Sequence, residues 1–187
     1  MPSSDKFPMT PFGHQKLVQE YDLLLKTERP RMVETVSWAA SNGDRSENAD
    51  YHYGKKRLRE IDKRLNYLEK RLEKAQIIPI PEQNQLTHVL FGSIVTITYE
   101  AATIPRREEL AEIKEYQIVG EDEIYEPSEG PMAISHKSPL AKLLDGKEIG
   151  AELHFRRPKG DTYVTITAIR APTPEELERM GAKSQNK

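Results

Sequence analysis

Cysteine is absent from the 187-residue chain, and with it go disulfides, thiol catalysis and thiolate metal sites. Zinc would have to rely on histidine and carboxylate ligands, yet His14, His52, His88, His136 and His154 are widely scattered. Aromatic residues make up only 7% and the mean hydropathy is -0.72, which argues against one large compact core. No run approaches the roughly 20 apolar residues that span a bilayer, and the N-terminus lacks the apolar stretch of a signal peptide. A cytoplasmic location is therefore expected. The formal net charge of -2 neither suggests nor excludes a nucleic-acid partner, so local charge has to carry that question. Glycine-rich nucleotide fingerprints are missing too, as is any complete set of nucleophile, base and electrophilic site. An autonomous ATPase, dehydrogenase or hydrolase is thereby disfavoured.

What the chain does have is periodicity. Residues 1–11 show none and read as a flexible leader, with Pro11 near a first helical turn. From Phe12 the pattern is helical: Leu17, Tyr21, Leu24, Met32, Thr35 and Ala39 can share one side, with Leu25, Val33, Val36 and Trp38 widening it. Pro30 interrupts this helix and is expected to bend or briefly open it, because its ring displaces a helical hydrogen bond. Gly43 marks a reversal, and a second helix is expected from Asp44 or Ser46. In it Tyr51, Leu58, Ile61, Leu65, Leu68, Leu72 and Ala75 recur at heptad spacing, which is a narrow seam. A lone helix would expose that seam, so the two runs (12–78) are expected to pair as an antiparallel coiled-coil hairpin with its tip near 41–50. A second helix over 46–76 would be roughly 45 Å long at about 1.5 Å per residue, which sets the tip far from the opposite end.

Pro79, Pro81 and the polar run Glu82 to Gln85 place a linker at 79–87, after which the period changes to two. Strands are expected over 90–99, 112–119 (with Ile113, Tyr116 and Ile118 inward), 132–135, 152–156 and 162–170. Ser138 and Pro139 open a short helix that Gly146 ends. The region 88–170 is thus a small, mostly antiparallel sheet carrying one short helix, making the chain α+β. A long connection falls between 100 and 110, and the tail 171–187 contains a helix candidate at 174–180.

The chemistry concentrates at the tip. Asp44, Glu47 and Asp50 follow at three-residue spacing, which lets carboxylates on a helix face a common volume and suits a hard cation such as magnesium. Asp44-x-x-Glu47 is equally the spacing of a capping box, in which both side chains satisfy free helix amides; the two readings can coexist. Two carboxylates do not fill a magnesium shell, so water, a substrate phosphate or another protein's acids must complete it. Arg45 lies between the acids, and Lys55, Lys56, Arg57, Arg59, Lys63 and Arg64 form a basic collar behind them. That collar is either a solvated outer face or a track for a phosphate backbone. Tyr51 belongs to the seam, Tyr53 is placed to project towards a nucleic-acid chain, and His52 is of the residue type that can act as a base near neutral pH. Trp38 is expected to pack the hairpin and Gly43 to supply its turn. In the second region, Gly120 to Ile124 and Ser138-Pro139-Leu140 read as a strand-ending turn and a helix start, or else as a partner-docking edge with Ile134 and Leu140.

Trp38-Ala39-Ala40-Ser41-Asn42-Gly43-Asp44-Arg45-Ser46-Glu47-Asn48-Ala49-Asp50-Tyr51, followed by Lys55-Lys56-Arg57-Leu58-Arg59-Glu60-Ile61-Asp62, closely resembles the bacterial Gre transcript-cleavage factors, in their GreB branch. Ile118-Val119-Gly120-Glu121-Asp122-Glu123 and Ile134-Ser135 with Ser138-Pro139-Leu140-Ala141 resemble the family's C-terminal domain, whose fold is similar to FKBP domains. The resemblance spans about residues 12–170. It implies an elongation factor that binds RNA polymerase, inserts its tip into the secondary channel and stimulates cleavage of backtracked RNA, without being an enzyme itself; a monomer is expected because the single seam disfavours two hairpins packing as a dimer. It further implies that Asp44 and Glu47 share a Mg2+ ion with polymerase acids, no ion being held tightly by the isolated protein. By the same resemblance Arg45, Lys55, Lys56, Arg57 and Arg59 guide RNA, and Gly43, Ser46, Asn48, Asp50 and Tyr51 support the tip. Asp122, Glu123, Ile134, Ser138, Pro139 and Leu140 would dock on the polymerase, and a DNA contact within the elongation complex is among the implications. The alternatives are a non-catalytic regulator of the same channel and a structural coiled-coil adaptor. Extra residues before Phe12, a longer connection at 100–110 and the tail after Arg170 depart from the family pattern.

Overall fold

The computed structural model describes residues 6–41, 48–101, 112–125, 130–156 and 160–182. Two compact units emerge. One is His14–Ala75; the other combines Phe7–Gly13 with Gln76–Asn186.

The first unit is a helical hairpin. Helix α1 (Pro11–Leu23) runs into a π-helical turn, Leu24–Glu28, and then α2 (Arg29–Ser41); α3 is Ala49–Glu73. The π turn explains how one seam survives Pro30. Leu17 and Leu24 are seven residues apart, Leu24 and Met32 eight, Met32 and Ala39 seven. A π turn closes i→i+5 hydrogen bonds, here Arg29 N–H to Leu24 O, and so absorbs the one extra residue. Pro30, expected to bend or briefly open the helix, sits two residues past that widened turn, in the first turn of α2. Leu17, Leu24 and Ala39 are buried in register.

Thr35 does not join them: it is exposed and its hydroxyl donates to Arg31 O at 2.9 Å, while Val36, one residue on, takes the seam position. Leu25, Val33 and Trp38 are exposed as well, because a two-helix pair has one contact side and the broad apolar face expected of the first run exceeds it. On α3, Ile61, Leu65 and Leu68 are buried as the heptads require. Extending that seam by one heptad adds Gly54, a position the apolar pattern skips. A Cβ there would lie 2.4 Å from Val36 Cγ2, so the absent side chain is what lets the helices close at this level.

The second unit is built on a five-stranded sheet in the order β5-β4-β3-β7-β6: β3 Ile94–Ala101, β4 Glu112–Val119, β5 Met132–Ser135, β6 Glu152–Phe155 and β7 Thr162–Arg170. The sheet is mostly antiparallel, as expected; at one edge β5 runs parallel to β4, with Tyr116 opposite Met132. A parallel neighbour needs a crossover of about a dozen residues, and the chain between β4 and β5 has that length. Helix α4 (Pro139–Leu144), capped by Ser138, buries Leu140, Ala141 and Leu144 in the core with Val95, Ile97, Tyr116, Ile118, Val164, Ile166 and Ile169. Ile113, expected inward, is 66% exposed. It stands an odd number of residues from Tyr116 and Ile118, so the pleat turns it to the other side.

Residues 7–9, expected in a flexible leader, form strand β1 (Phe7–Met9), which pairs with β2 (Ala75–Ile77). The expected linker 79–87 also contributes to the core through Leu86. Past Arg170, helix α5 (Pro174–Ala182) takes up the expected 174–180 segment. Arg170 holds it: Nη1 and Nη2 donate to Glu176 at 2.7 and 2.8 Å, and Nη2 also to Glu115 on β4 at 3.0 Å. The hydrogen bonds to Glu176, with help from Glu115, keep the guanidinium above its ordinary pKa, and Arg170 in return holds Glu176 below the usual carboxylate range. Thr173 and Glu176 close a capping box, Thr173 N–H donating to Glu176 Oε2 at 2.7 Å and Glu176 N–H to Thr173 Oγ1 at 3.2 Å.

Candidate functional site

Asp44, Glu47, Arg45, Gly43 and Ser46 lie outside the described residues. What the structure does describe is where the second helix begins. Asn48, not Asp44, is its cap: Asn48 Oδ1 accepts Tyr51 N–H at 3.1 Å and Nδ2 donates to Ala39 O at 3.0 Å. The same side chain thus starts α3 and ties the last turn of α2 to it, a dual use available to an amide and not to a carboxylate, which has no donor. The helix start expected at 44 or 46 moves to Ala49, and the α3 cap no longer calls on Asp44 and Glu47. Asp50 is exposed in the first turn of α3, where negative charge is favoured by the helix N-terminus. Tyr51 is half-buried; Lys55 Nζ lies 5.3 Å from its ring centre, and the His52 ring meets it edge-on at 5.8 Å.

The basic collar divides in two. Arg57 donates to Glu28 at 3.0 Å and to Glu60 at 3.4 Å, and the hydrogen bond to Glu28 leads in raising its pKa. Arg64 is held in a fork by Glu20 at 2.7 and 2.8 Å. These cations serve the hairpin. Lys55, Lys56, Arg59 and Lys63 are exposed, and Lys56, Arg59 and Lys63 carry no ion pair among the described residues. Arg59, Lys63 and Lys70 line a shallow groove with Asp62, Asn66 and Tyr67 on the outside of α3. Phosphates are met by cations that have not already been neutralised, so the exposed set is the one fitted to a polyanion.

The expected docking residues of the second unit are not all outward. Glu123 is only 8% exposed and turned inward. Its Oε2 accepts the backbone N–H of Thr10 at 3.0 Å and of Gly120 at 2.9 Å, and its Oε1 accepts the Thr10 hydroxyl. Burial pushes its carboxyl pKa up, against the pull of these donors. Gly13 and Gly120 make room for it: a Cβ on Gly13 would lie 2.2 Å from Glu123 Cδ. Leu140 is in the core and Ile134 packs against it; the Ser138 hydroxyl accepts Ala141 N–H at 3.2 Å. Pro139 is exposed, Asp122 half-buried, and Ile124, at the end of the segment the sequence marked as a turn or docking edge, is 58% exposed. The lock made by Thr10, Gly13, Gly120 and Glu123 was not visible in the sequence, because its partners lie more than 100 residues apart.

No cluster of three or more His, Asp or Glu residues placed to hold a metal occurs among the described residues. None of the described helices is long and apolar enough to cross a membrane.

Residues 7–77 match the family described as "Transcription elongation factor, N-terminal", and residues 83–171 match "Transcription elongation factor, GreA/GreB, C-term". The transcription elongation factor GreB of Pseudomonas syringae pv. tomato is 42% identical over 162 residues, covering 86% of this chain and 94% of that protein. GreB of Haemophilus ducreyi is 43% identical over 161 residues, covering 86% and 91%. Among solved structures, the GreA factor homolog Gfh1 of Thermus thermophilus is 22% identical with a TM-score of 0.38, covering 89% of this chain and 99% of that one. Helix α5 lies beyond the matched segments.

Proposed function

The chain belongs to the GreA/GreB family of transcription elongation factors, and on that premise we propose that it binds RNA polymerase and stimulates the polymerase's own cleavage of backtracked RNA. The observation that carries this reading is the likeness to GreB over most of the chain, together with the Asp44 and Glu47 pair that precedes α3. The factor is not itself an enzyme. Its second unit docks on the polymerase through outward groups near Asp122, Ile124 and Pro139, while Glu123 and Leu140 shape that surface from within. That this unit is FKBP-like in detail is part of the same proposal.

Asp44 and Glu47 supply two hard oxygen donors, the chemistry a magnesium ion takes, and with Asn48 capping α3 they are not needed for that helix start. Such an ion, completed by polymerase acids, would supply an activated water and stabilise charge on phosphate oxygens. The residues of this chain bring the two carboxylates to the reacting phosphate and orient them, with Arg45, Lys55, Lys56 and Arg59 attracting the RNA backbone. Arg57, placed with the RNA-guiding residues by the family resemblance, also forms an ion pair with Glu28 within the hairpin.

The test is a backtracked complex assembled with the cognate polymerase, in which RNA shortening is followed with wild-type factor, Asp44→Asn and Glu47→Gln. Polymerase binding is measured alongside. Loss of about 100-fold or more in stimulation with binding retained is the expected outcome, the scale on which removal of one transition-state stabilising group acts. Undiminished stimulation by binding-competent variants would sink the metal role.

A further inference from the structure

The two most exposed aromatic side chains of the hairpin among the described residues are Trp38 on α2, at 63%, and Tyr53 on α3, at 66%. Each immediately precedes a buried seam residue, Ala39 and Gly54 respectively. In an antiparallel pair the step of about 100° per residue is reversed in sense on one helix and viewed from the opposite side, so residues preceding the seam on both helices project to the same side. The ion pairs mark that side independently. Tyr53, Arg57, Glu60 and Arg64 follow at spacings of four, three and four, which places them on one stripe, and Arg57 and Arg64 reach across it to Glu28 and Glu20.

The two rings also stand at nearly the same height. A Cβ on Gly54 would meet Val36; Trp38 lies two residues beyond Val36 and Tyr53 one residue from Gly54 in the same direction along the hairpin, which leaves an offset of about 1.5 Å at about 1.5 Å per residue. Packed helices are about 8–10 Å apart, so the two residues stand at one level on adjoining helices. Apart from the small Ala49, their described helix neighbours at three and four residues are polar: Glu34, Thr35 and Ser41 for Trp38, and Asp50, Lys56 and Arg57 for Tyr53. Flat rings set singly among charged and hydroxylic side chains lack the aliphatic surround of a protein-docking core. They match a single-stranded nucleic acid, which brings a π face from each base and a phosphate for an exposed lysine such as Lys56.

We propose that Trp38 and Tyr53 form a stacking platform for unpaired RNA bases, holding the displaced 3′ segment of a backtracked transcript while Lys56 meets its phosphates; this deepens, and rests on, the reading of the chain as a cleavage-stimulating factor.

Trp38 is the single tryptophan of the chain and therefore its own probe. Full-length factor is titrated with oligoadenylate and, in parallel, oligouridylate at low salt, reading tryptophan emission. Saturable quenching is expected, with Tyr53→Ala weakening the binding about fivefold to a hundredfold and Tyr53→Phe retaining it, since stacking needs the ring and not the hydroxyl. In backtracked complexes, Trp38→Ala and Tyr53→Ala are expected to raise the factor concentration needed for half-maximal cleavage by a similar factor, leaving the rate at saturation unchanged, with Trp38→Phe close to wild type. Absence of quenching at saturating oligonucleotide, or alanine variants whose cleavage titrations overlay the wild type, would overturn the platform. Failure of the wild-type factor itself to stimulate cleavage would instead overturn the underlying function, and the oligonucleotide titration would still decide whether the rings bind RNA.

Discussion

Glu123 Oε2 accepts the backbone N–H of Thr10 at 3.0 Å, across 113 residues of sequence. The Thr10 hydroxyl donates to the same carboxylate and accepts Gly13 N–H at 3.0 Å in the first turn of α1. One side chain therefore caps a helix and anchors β1 into the second unit. Thr10→Val keeps the shape and removes the hydroxyl, leaving Gly13 N–H without its acceptor in a buried place. A loss of about 1–3 kcal/mol is expected, the cost of an unsatisfied buried group. Chemical denaturation measures it, with Thr10→Ser recovering most of the loss.

The same carboxylate makes stability depend on pH in a defined direction. Burial leads in raising the Glu123 pKa, so the folded state holds the proton more tightly than the unfolded chain. The stability this group contributes is complete below the ordinary carboxylate value and is lost as pH rises through the higher folded value. Against a Glu123→Gln reference, which does not titrate, the wild type should lose relative stability with rising pH across that window and then level off. A difference that grows with pH would contradict the burial argument. Glu176 has the opposite sign, its stabilisation being lost as pH falls through its lowered pKa, but it is common to both proteins and cancels.

Gly54 exchanges helix propensity for approach. Gly54→Ala would gain up to about 1 kcal/mol of intrinsic helix stability. Its new Cβ would lie 2.4 Å from Val36 Cγ2, a branched side chain with little freedom to move, and overpacking of this kind costs about 1–3 kcal/mol. Net destabilisation of the hairpin is expected, and Gly54→Ala combined with Val36→Ala should recover it. Thermal unfolding of the single and double variants, followed by circular dichroism, checks both.

Helix α5 depends on Arg170. Arg170→Met keeps the length of the side chain and removes both hydrogen bonds to Glu176 and the link to Glu115. Hydrogen bonds to charged groups contribute about 1.5–3 kcal/mol, so amide protection over 174–182 should fall by about tenfold to a hundredfold. Amides of β3 should stay unchanged. Hydrogen exchange resolved by peptide mass makes the comparison.

Local pattern was the most legible part of this chain. Heptads along Leu58, Ile61, Leu65 and Leu68 announced α3, and alternation announced β3 and β7, because backbone period decides which side chains share a face before any partner is present. The boundary at the tip was less legible: Asp44, Ser46 and Asn48 are all competent caps by type, and the structure shows Asn48 in that role, its side chain also donating to Ala39 O. The acids singled out for chemistry, Asp44 and Glu47, remain a conclusion of sequence and family, since they lie outside the described residues.

The sequence by itself determined the two-part plan, the seam of α3, the helix after Ser138 and the family, all of which follow from residues close together in the chain. Only the tertiary structure decided that Trp38 faces solvent and Glu123 does not, that β5 joins parallel, and that the seam passes through a glycine. Those outcomes depend on which surface a side chain meets. A residue's type states what it costs to bury, but the partner that offsets the cost, Thr10 for Glu123 or Val36 for Gly54, is brought by a distant part of the chain.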